Sequence, residues 1–307
     1  MDDTVSPEPQ KNRKIIANIL LVATTILWGS SFILTKNLTQ DIPVFLYQGL
    51  RFAIAIIGFV PYFYQFKNID KKTILAGLLT GFVYFVSISF QTVGLQTTSA
   101  GKGAFITGLG TIIVPFIYWI GYKRRVKLRI WIAAIIAMIG MGFLLLEGES
   151  GLEIGDFLIL ITAVSYAYFI VLNDKYVTQV NVFLYSIFQL VVVSGLSFLF
   201  SLIIRESFNF ITTDLVFWLL MLYMGIGVTT LTFIFQNWSQ QYQGPSQTAI
   251  IFALEPVFAV LFASFIIGDE TMTIWGWIGS AMIFGATIIA VIRNNIQIES
   301  FATPSDN

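Results

Sequence analysis

Ten apolar runs of about 20 residues, each the length that crosses a bilayer as a helix, dictate what this chain can become. They fall near residues 15–35, 43–63, 73–92, 100–121, 129–146, 155–173, 182–203, 216–237, 246–267 and 274–292. Inside a membrane every backbone N–H and C=O must be paired within the spanning element, so the runs are helices. The connections are short and carry turn residues: Asp41-Ile-Pro43, Asn68-Ile-Asp70, Gly148-Glu-Ser-Gly151 and Gln243-Gly-Pro245. Only 11% of the 307 residues are charged and 56% are hydrophobic, against about 25% charged in soluble domains. We therefore expect an all-α integral membrane protein with ten transmembrane helices. The polar tail 1–14 precedes an uncleaved first helix, because the run from Ile15 to Leu34 is too long for a signal-peptide core.

The chain has no Cys and no His, which removes disulfides, thiol chemistry, zinc sites and imidazole relays. No metal or cofactor is expected, and few acids lie in the spans, so a membrane-embedded enzyme is set aside. Net charge is zero, and nothing in the charge pattern favours nucleic acid.

Orientation follows from the loop cations. With the N-terminus cytoplasmic, the inside segments carry Lys11, Arg13, Lys14, Lys67, Lys71, Lys72, Lys123, Arg124, Arg125, Lys127, Arg129, Lys175 and Arg293, and the outside segments only Lys36, Lys102 and Arg205. Both termini, including the tail 293–307, are expected on the cytoplasmic side of the cell (inner) membrane. The Lys123–Arg129 cluster reads as a topology anchor rather than a lipid-binding patch.

Residues 15–147 and 153–292 are two versions of one unit. Val44-Phe-Leu-Tyr47 recurs as Val182-Phe-Leu-Tyr185 at an offset of 138, and Phe90-Gln91 recurs as Phe235-Gln236 at 145. Five spans per unit make the second enter the membrane inverted, an arrangement that places substrate sites near the midplane between the halves. Polar and aromatic residues form one-faced stripes at helical spacing: Thr24/Trp28/Ser31/Thr35, Thr80/Tyr84/Ser87/Gln91, Thr162/Tyr166/Phe169/Asn173 and Gly225/Thr229/Thr232/Gln236. A central cavity with a mixed lining accounts for them, although Ser and Thr also bond their own helix or a neighbour. Spans two, five, seven and ten are mostly aliphatic and aromatic and are expected to face lipid.

Three charges depart from this pattern. Arg51 lies within the second span, with Gln189 as its counterpart; it either binds an anionic group or serves structurally, paired with carbonyls or a buried acid, and the structural role is the expectation. Lys102 is expected to snorkel at the interface. Glu255 stands beside Pro256 in the ninth span, where an ionised acid costs roughly 2.5–3.5 kcal/mol and the proline cannot donate to the carbonyl of Phe252. Pro115 in the fourth span likewise frees the carbonyl of Thr111, and the fourth span opens on the small residues of Thr98-Ser-Ala-Gly-Lys-Gly-Ala104.

Leu27-Trp-Gly-Ser-Ser-Phe32, Leu50-Arg-Phe52, Ser99-Ala-Gly101 and Leu254-Glu-Pro-Val-Phe-Ala259, followed by Gly268-Asp-Glu270, together resemble the EamA family of the drug/metabolite transporter superfamily. The resemblance covers residues 15 to 292 and implies ten spans, with the first, third, fourth, sixth, eighth and ninth around the cavity. It also implies movement of amino acids, related metabolites or toxic small molecules, often outward. One departure is that many members carry a proline where Thr111 stands, and Gly110 occupies the position that matches Glu255.

The resulting expectation is a secondary transporter, an exporter of small organic metabolites such as amino acids, working by alternating access. Trp28, Tyr84 and Tyr166 supply aromatic walls, while Ser31, Ser87, Gln91, Thr229, Thr232, Gln236 and Glu255 contact substrate. Pro115 and Pro256 act as hinges, and Glu255 is the group for any coupling to protons. The alternative is a passive channel or facilitator lined by the same stripes.

Overall fold

The computed structural model describes residues 7–145, 153–207, 214–267 and 274–291. Gly148-Glu-Ser-Gly151, Gly268-Asp-Glu270 and Arg293 lie outside them. The described chain is a helix bundle without strands. Eight of its helical runs are long and apolar enough to cross a membrane, a bent pair supplies a ninth, and Leu128–Phe143 is a shorter apolar helix.

Helix α1 (Pro7–Asp41) takes in part of the polar tail. The second predicted span is broken into α2 (Val44–Ile57) and a 3-10 segment, Val60–Asn68, that turns away by 74°. Pro61 at its start lacks the N–H that would continue α2. Asp70 then caps α3 (Lys71–Gly94) by accepting the Thr73 N–H at 2.8 Å.

The fourth span is divided into α4 (Ala100–Gly108) and α5 (Gly110–Phe116), which runs on into a π turn, Ile117–Gly121. After α6 (Leu128–Leu145) and α7 (Ile154–Val177), α8 (Val182–Ile203) starts on an Asn181 cap. The eighth span comprises α9 (Leu215–Leu222), a π segment Tyr223–Thr230 and α10 (Leu231–Gln240). The ninth is α11 (Pro245–Phe252) and α12 (Glu255–Ile267), and α13 (Ile274–Val291) closes the order.

Contacts fix the directions. Gln243 donates to the Lys14 carbonyl (3.0 Å) and to Asn18 (2.8 Å), setting the start of α11 beside the start of α1; this is the near end of the bundle. At the far end Lys36 donates to the Thr98 carbonyl and the Thr98 hydroxyl to Asp156, joining the end of α1 to the starts of α4 and α7. So α1 and α7, counterparts at the offset of 138, run in opposite directions. The same offset relates two hydrogen bonds, Thr35–Tyr47 at 3.0 Å and Tyr185–Asn173 at 2.7 Å.

Helix α3 packs on α7 and α8, α1 on α10 and α12, α2 on α8, and α6 on α13. Gly29 brings α1 against α12 so closely that a Cβ there would lie 2.5 Å from the Phe258 Cβ. The expectation that spans two and seven face lipid is corrected: Tyr47, Arg51 and Phe52 of α2 and Tyr185, Gln189 and Ser197 of α8 are buried. These two helices pack face to face, so their polar residues meet protein and not hydrocarbon. Aliphatic and aromatic residues such as Ile19, Leu75, Phe82, Phe157 and Leu202 point outward.

Candidate functional site

The middle of the bundle holds a cavity lined by Trp28 and Ser31 of α1, Arg51 of α2, Tyr84, Ser87, Ile88 and Gln91 of α3, Thr107 of α4, Thr162 and Tyr166 of α7, and Glu255 of α12. It offers about 30 Å³ for the centres of water-sized spheres, room for two or three waters. A smaller cavity of about 10 Å³ shares Thr107, Tyr166 and Glu255 with it and reaches Gly108, Gly110, Thr111, Ala249 and Phe252.

One wall is aromatic. Trp28 meets Phe252 at 4.9 Å and Tyr166 at 5.8 Å between centroids, and Tyr84 lies 5.0 Å from both Phe169 and Phe233. These rings come together because α1, α3 and α7 turn their stripes inward against Phe233 of α10 and Phe252 of α11, giving contacts in the edge-to-face and tilted range that aromatic pairs favour.

The other wall carries charge of both signs. Arg51 donates through Nε to the Thr229 hydroxyl at 2.9 Å and through a terminal nitrogen to the Thr35 hydroxyl at 3.5 Å. These contacts orient the guanidinium without neutralising it. Glu255 is 6% exposed, and among the described residues no ion pair joins it to Arg51. The buried acid that the sequence left open as a partner for Arg51 is therefore not Glu255. They line one cavity and belong to different helices, so each is left to face whatever enters. The hydroxyl partners serve the structural role expected of Arg51, and its cavity position gives it a second surface.

Of the remaining stripe residues, Ser31 donates to the Trp28 carbonyl at 2.8 Å, and Gln91 to the Thr107 hydroxyl at 3.4 Å. Ser87 and Thr162 each donate to the other's carbonyl, at 3.4 and 3.1 Å, clasping α3 to α7. Thr229, Thr232 and Gln236 are not in the cavity lining. Thr229 stands behind Arg51, Thr232 bonds the Thr229 carbonyl in its own helix (3.2 Å), and Gln236 accepts from the Tyr166 hydroxyl at 3.3 Å. Their side chains are spent on neighbours, the role that short polar groups often take in membranes.

Sequence reasoning passed over Thr107, which belongs to no stripe, and a buried amide network at the near end. There Asn173 donates to Asn237 (2.9 Å) and Gln240 (2.6 Å), Gln189 donates to Thr80 (3.0 Å) and Asn173 (3.2 Å), and Asn237 donates to Gln189 (2.8 Å) and Ser186 (2.7 Å). Tyr166 and Gln236 connect this network to the cavity. Its sequence signals were Gln189, the counterpart of Arg51, and the stripe residues Thr80, Asn173 and Gln236. Lys102 is also corrected: it does not snorkel but pairs with Asp156 at 2.5 Å, the two side chains being 11% and 6% exposed.

Pro115 sits inside α5, while the fourth span breaks six residues earlier, at Leu109. The ninth breaks at Ala253–Leu254, directly before Pro256. Leu109 and Leu254 differ by 145, the offset of the second part of the repeat, so both units break at the same place. Gly108 and Gly110 are the weak helix formers at the first break. A Cβ on Gly108 would approach the Met141 sulfur to 2.5 Å and Pro256 to 3.3 Å, so the two breaks face each other.

The EamA-like transporter family is matched twice, over residues 15–146 and 153–292. An uncharacterized transporter of Archaeoglobus fulgidus is 31% identical over 281 residues, spanning 92% of this chain and 87% of that protein. The uncharacterized transporter YetK of Bacillus subtilis is 25% identical over 294 residues, spanning 90% and 87%. A protein of known crystal structure aligns with a TM-score of 0.74 at 17% identity, over 90% of this chain and 98% of its own, which shows a shared fold.

Proposed function

The chain belongs to the EamA-like transporter family and is a membrane transporter, and on that premise we propose that it exports small organic metabolites, amino acids first among them, by alternating access. In this reading ten spans form two inverted five-helix units, 15–147 and 153–292, in the cell membrane, with both termini cytoplasmic as the loop cations favour.

The observation that carries the reading is the pair of opposite charges, Arg51 and Glu255, lining one mid-bundle cavity without an ion pair between them. A zwitterion answers both, its carboxylate toward Arg51 and its ammonium toward Glu255, with the side chain on Trp28, Tyr84 and Tyr166. Ser31, Ser87 and Gln91 are placed to bond polar groups, and Thr229, Thr232 and Gln236 act from behind the lining. The cavity's size favours a carrier over an open pore, because a solute larger than a few waters enters only if the halves part. Pro115 and Pro256, beside the two helix breaks, are the proposed hinges.

A thermal-shift screen of the purified chain tests this, since a ligand that binds the native state raises its melting temperature. We expect a neutral amino acid to raise Tm saturably, and Arg51→Gln to abolish that rise while the variant still folds. No response to any amino acid contradicts the substrate class.

A further inference from the structure

The smaller cavity is built unlike the larger one. It has room for one water-sized sphere, and its lining includes Glu255 but not Arg51. The acid is more than nine-tenths buried and, among the described residues, has no hydrogen-bond or ion-pair partner. Around it stand three hydroxyl groups, and two of them send their hydrogens elsewhere. Thr111 donates to the Ala249 carbonyl at 3.3 Å and Tyr166 to Gln236 at 3.3 Å. Thr107 accepts from Gln91 at 3.4 Å and has a second lone pair. The rest of the lining is Gly108, Gly110, Ile170, Ala249 and Phe252, so the polar side chains facing this cavity are one carboxylate and three hydroxyls.

The backbone points the same way. The cavity lies where α4 ends at Gly108 and α11 ends at Phe252; the Ile106, Thr107, Ala249, Ile250 and Ile251 carbonyls there accept backbone N–H groups across the breaks. Pro256 cannot donate to the Phe252 carbonyl, which keeps that oxygen available. The N-termini of α5 and α12 start at the same breaks, and Glu255 in the first turn of α12 offsets the positive end of that helix. A carboxylate, three hydroxyl oxygens and the Phe252 carbonyl around a space the size of one water fit a small hard monovalent cation, the arrangement that interrupted helices create for sodium in secondary transporters.

We infer that this cavity is a sodium site, with Glu255 as its charged ligand and Thr107, Thr111 and Tyr166 as neutral oxygen ligands. The inference rests on the transporter reading for its purpose, because a sodium ion beside the substrate cavity would couple solute movement to a sodium gradient. Glu255 lines both cavities, so in this proposal one carboxylate oxygen holds sodium in the smaller cavity while the other meets the substrate ammonium in the larger.

The test reads ion binding without flux, so that it and the transport reading can fail separately. Tm of the purified full-length chain is measured while sodium chloride replaces choline chloride at fixed ionic strength, at pH 6 and pH 8. We expect a saturable rise of about 5 °C with sodium and none with potassium. Glu255→Gln and Thr111→Val should each lose the rise, whereas Thr111→Ser, which restores the hydroxyl, should keep it. If Glu255→Gln does not fold, the Thr111 pair decides. A Tm equal in sodium and choline overturns the site, as does a sodium response that survives in Glu255→Gln or Thr111→Val. A Tm that follows pH but not sodium also overturns it, in favour of a proton.

Discussion

At the scale of single residues, the polar side chains buried in this bundle are held by specific partners, and removing a partner exposes what it does. Asp156 accepts from Lys102, from the Thr98 hydroxyl at 2.9 Å and from the Glu153 N–H at 2.9 Å. Asp156→Ala removes one acceptor shared by all three donors, and breaking a buried pair from one side costs about 3–5 kcal/mol; thermal unfolding in detergent should show a large drop. Asn173 is the hub of an uncharged network, and Asn173→Leu takes away the acceptor of the Tyr185 hydroxyl and the donor to the Asn237 Oδ1, while Gln189 keeps Thr80 and Gln240 keeps Gln236. The expected loss is about 1–3 kcal/mol for each group left unsatisfied, again read as Tm. The sequence displayed Arg51, Lys102 and Glu255 as costly residues, because a charge in an apolar run is visible without coordinates. It did not display their surroundings. Whether Lys102 reaches water or Asp156 depends on a contact across 54 positions, and nothing in the local pattern around either residue encodes it. The stripes were legible for Trp28, Ser31, Tyr84, Ser87, Gln91 and Tyr166, which do line the cavity. Thr229, Thr232 and Gln236 share the spacing but sit behind it, since helical periodicity gives a face and not a depth.

At the scale of elements, breaks in the helices matter more than their lengths. The apolar runs foretold most of the helical segments, yet the second, fourth, eighth and ninth spans are each interrupted. Proline explains the ninth directly. In the fourth, Pro115 stands six residues beyond the break, which falls between two glycines, so a search for proline alone misplaces it. Close approach explains other small residues. Gly29 faces Phe258 and the backbone of Ala259, where an added Cβ would lie 2.5 to 2.9 Å from its neighbours. Backbone cannot swing aside as a side-chain tip can, so Gly29→Ala should destabilise by about 1–3 kcal/mol. Gly142 in α6 has open space where a Cβ would stand, with nothing within 4 Å. Gly142→Ala should therefore leave Tm unchanged or raise it slightly, because alanine is the better helix former. Equal effects of the two substitutions would contradict the packing account.

At the scale of the whole molecule, the two halves share a plan but not a state. Helix α7 packs on α10, whereas their counterparts α1 and α3 share little contact. The Ser87–Thr162 clasp between α3 and α7 has no equivalent, since Thr232 and Thr24 bond carbonyls of their own helices. The near end is therefore drawn together by amides, and Gln91, half-buried, marks the side of the cavity toward the far end. Exchange of these two arrangements between the halves is what alternating access requires. The central claim is that a small zwitterionic solute travels through the cavity between Arg51 and Glu255. Uptake of radiolabelled neutral amino acids into proteoliposomes, preloaded with the same amino acid, measures it most directly. We predict saturable counterflow for at least one amino acid, reduced at least about tenfold (about 1.4 kcal/mol) in both Arg51→Gln and Glu255→Gln. Flux that rises linearly without saturating, or variants that match the wild-type rate, would contradict it.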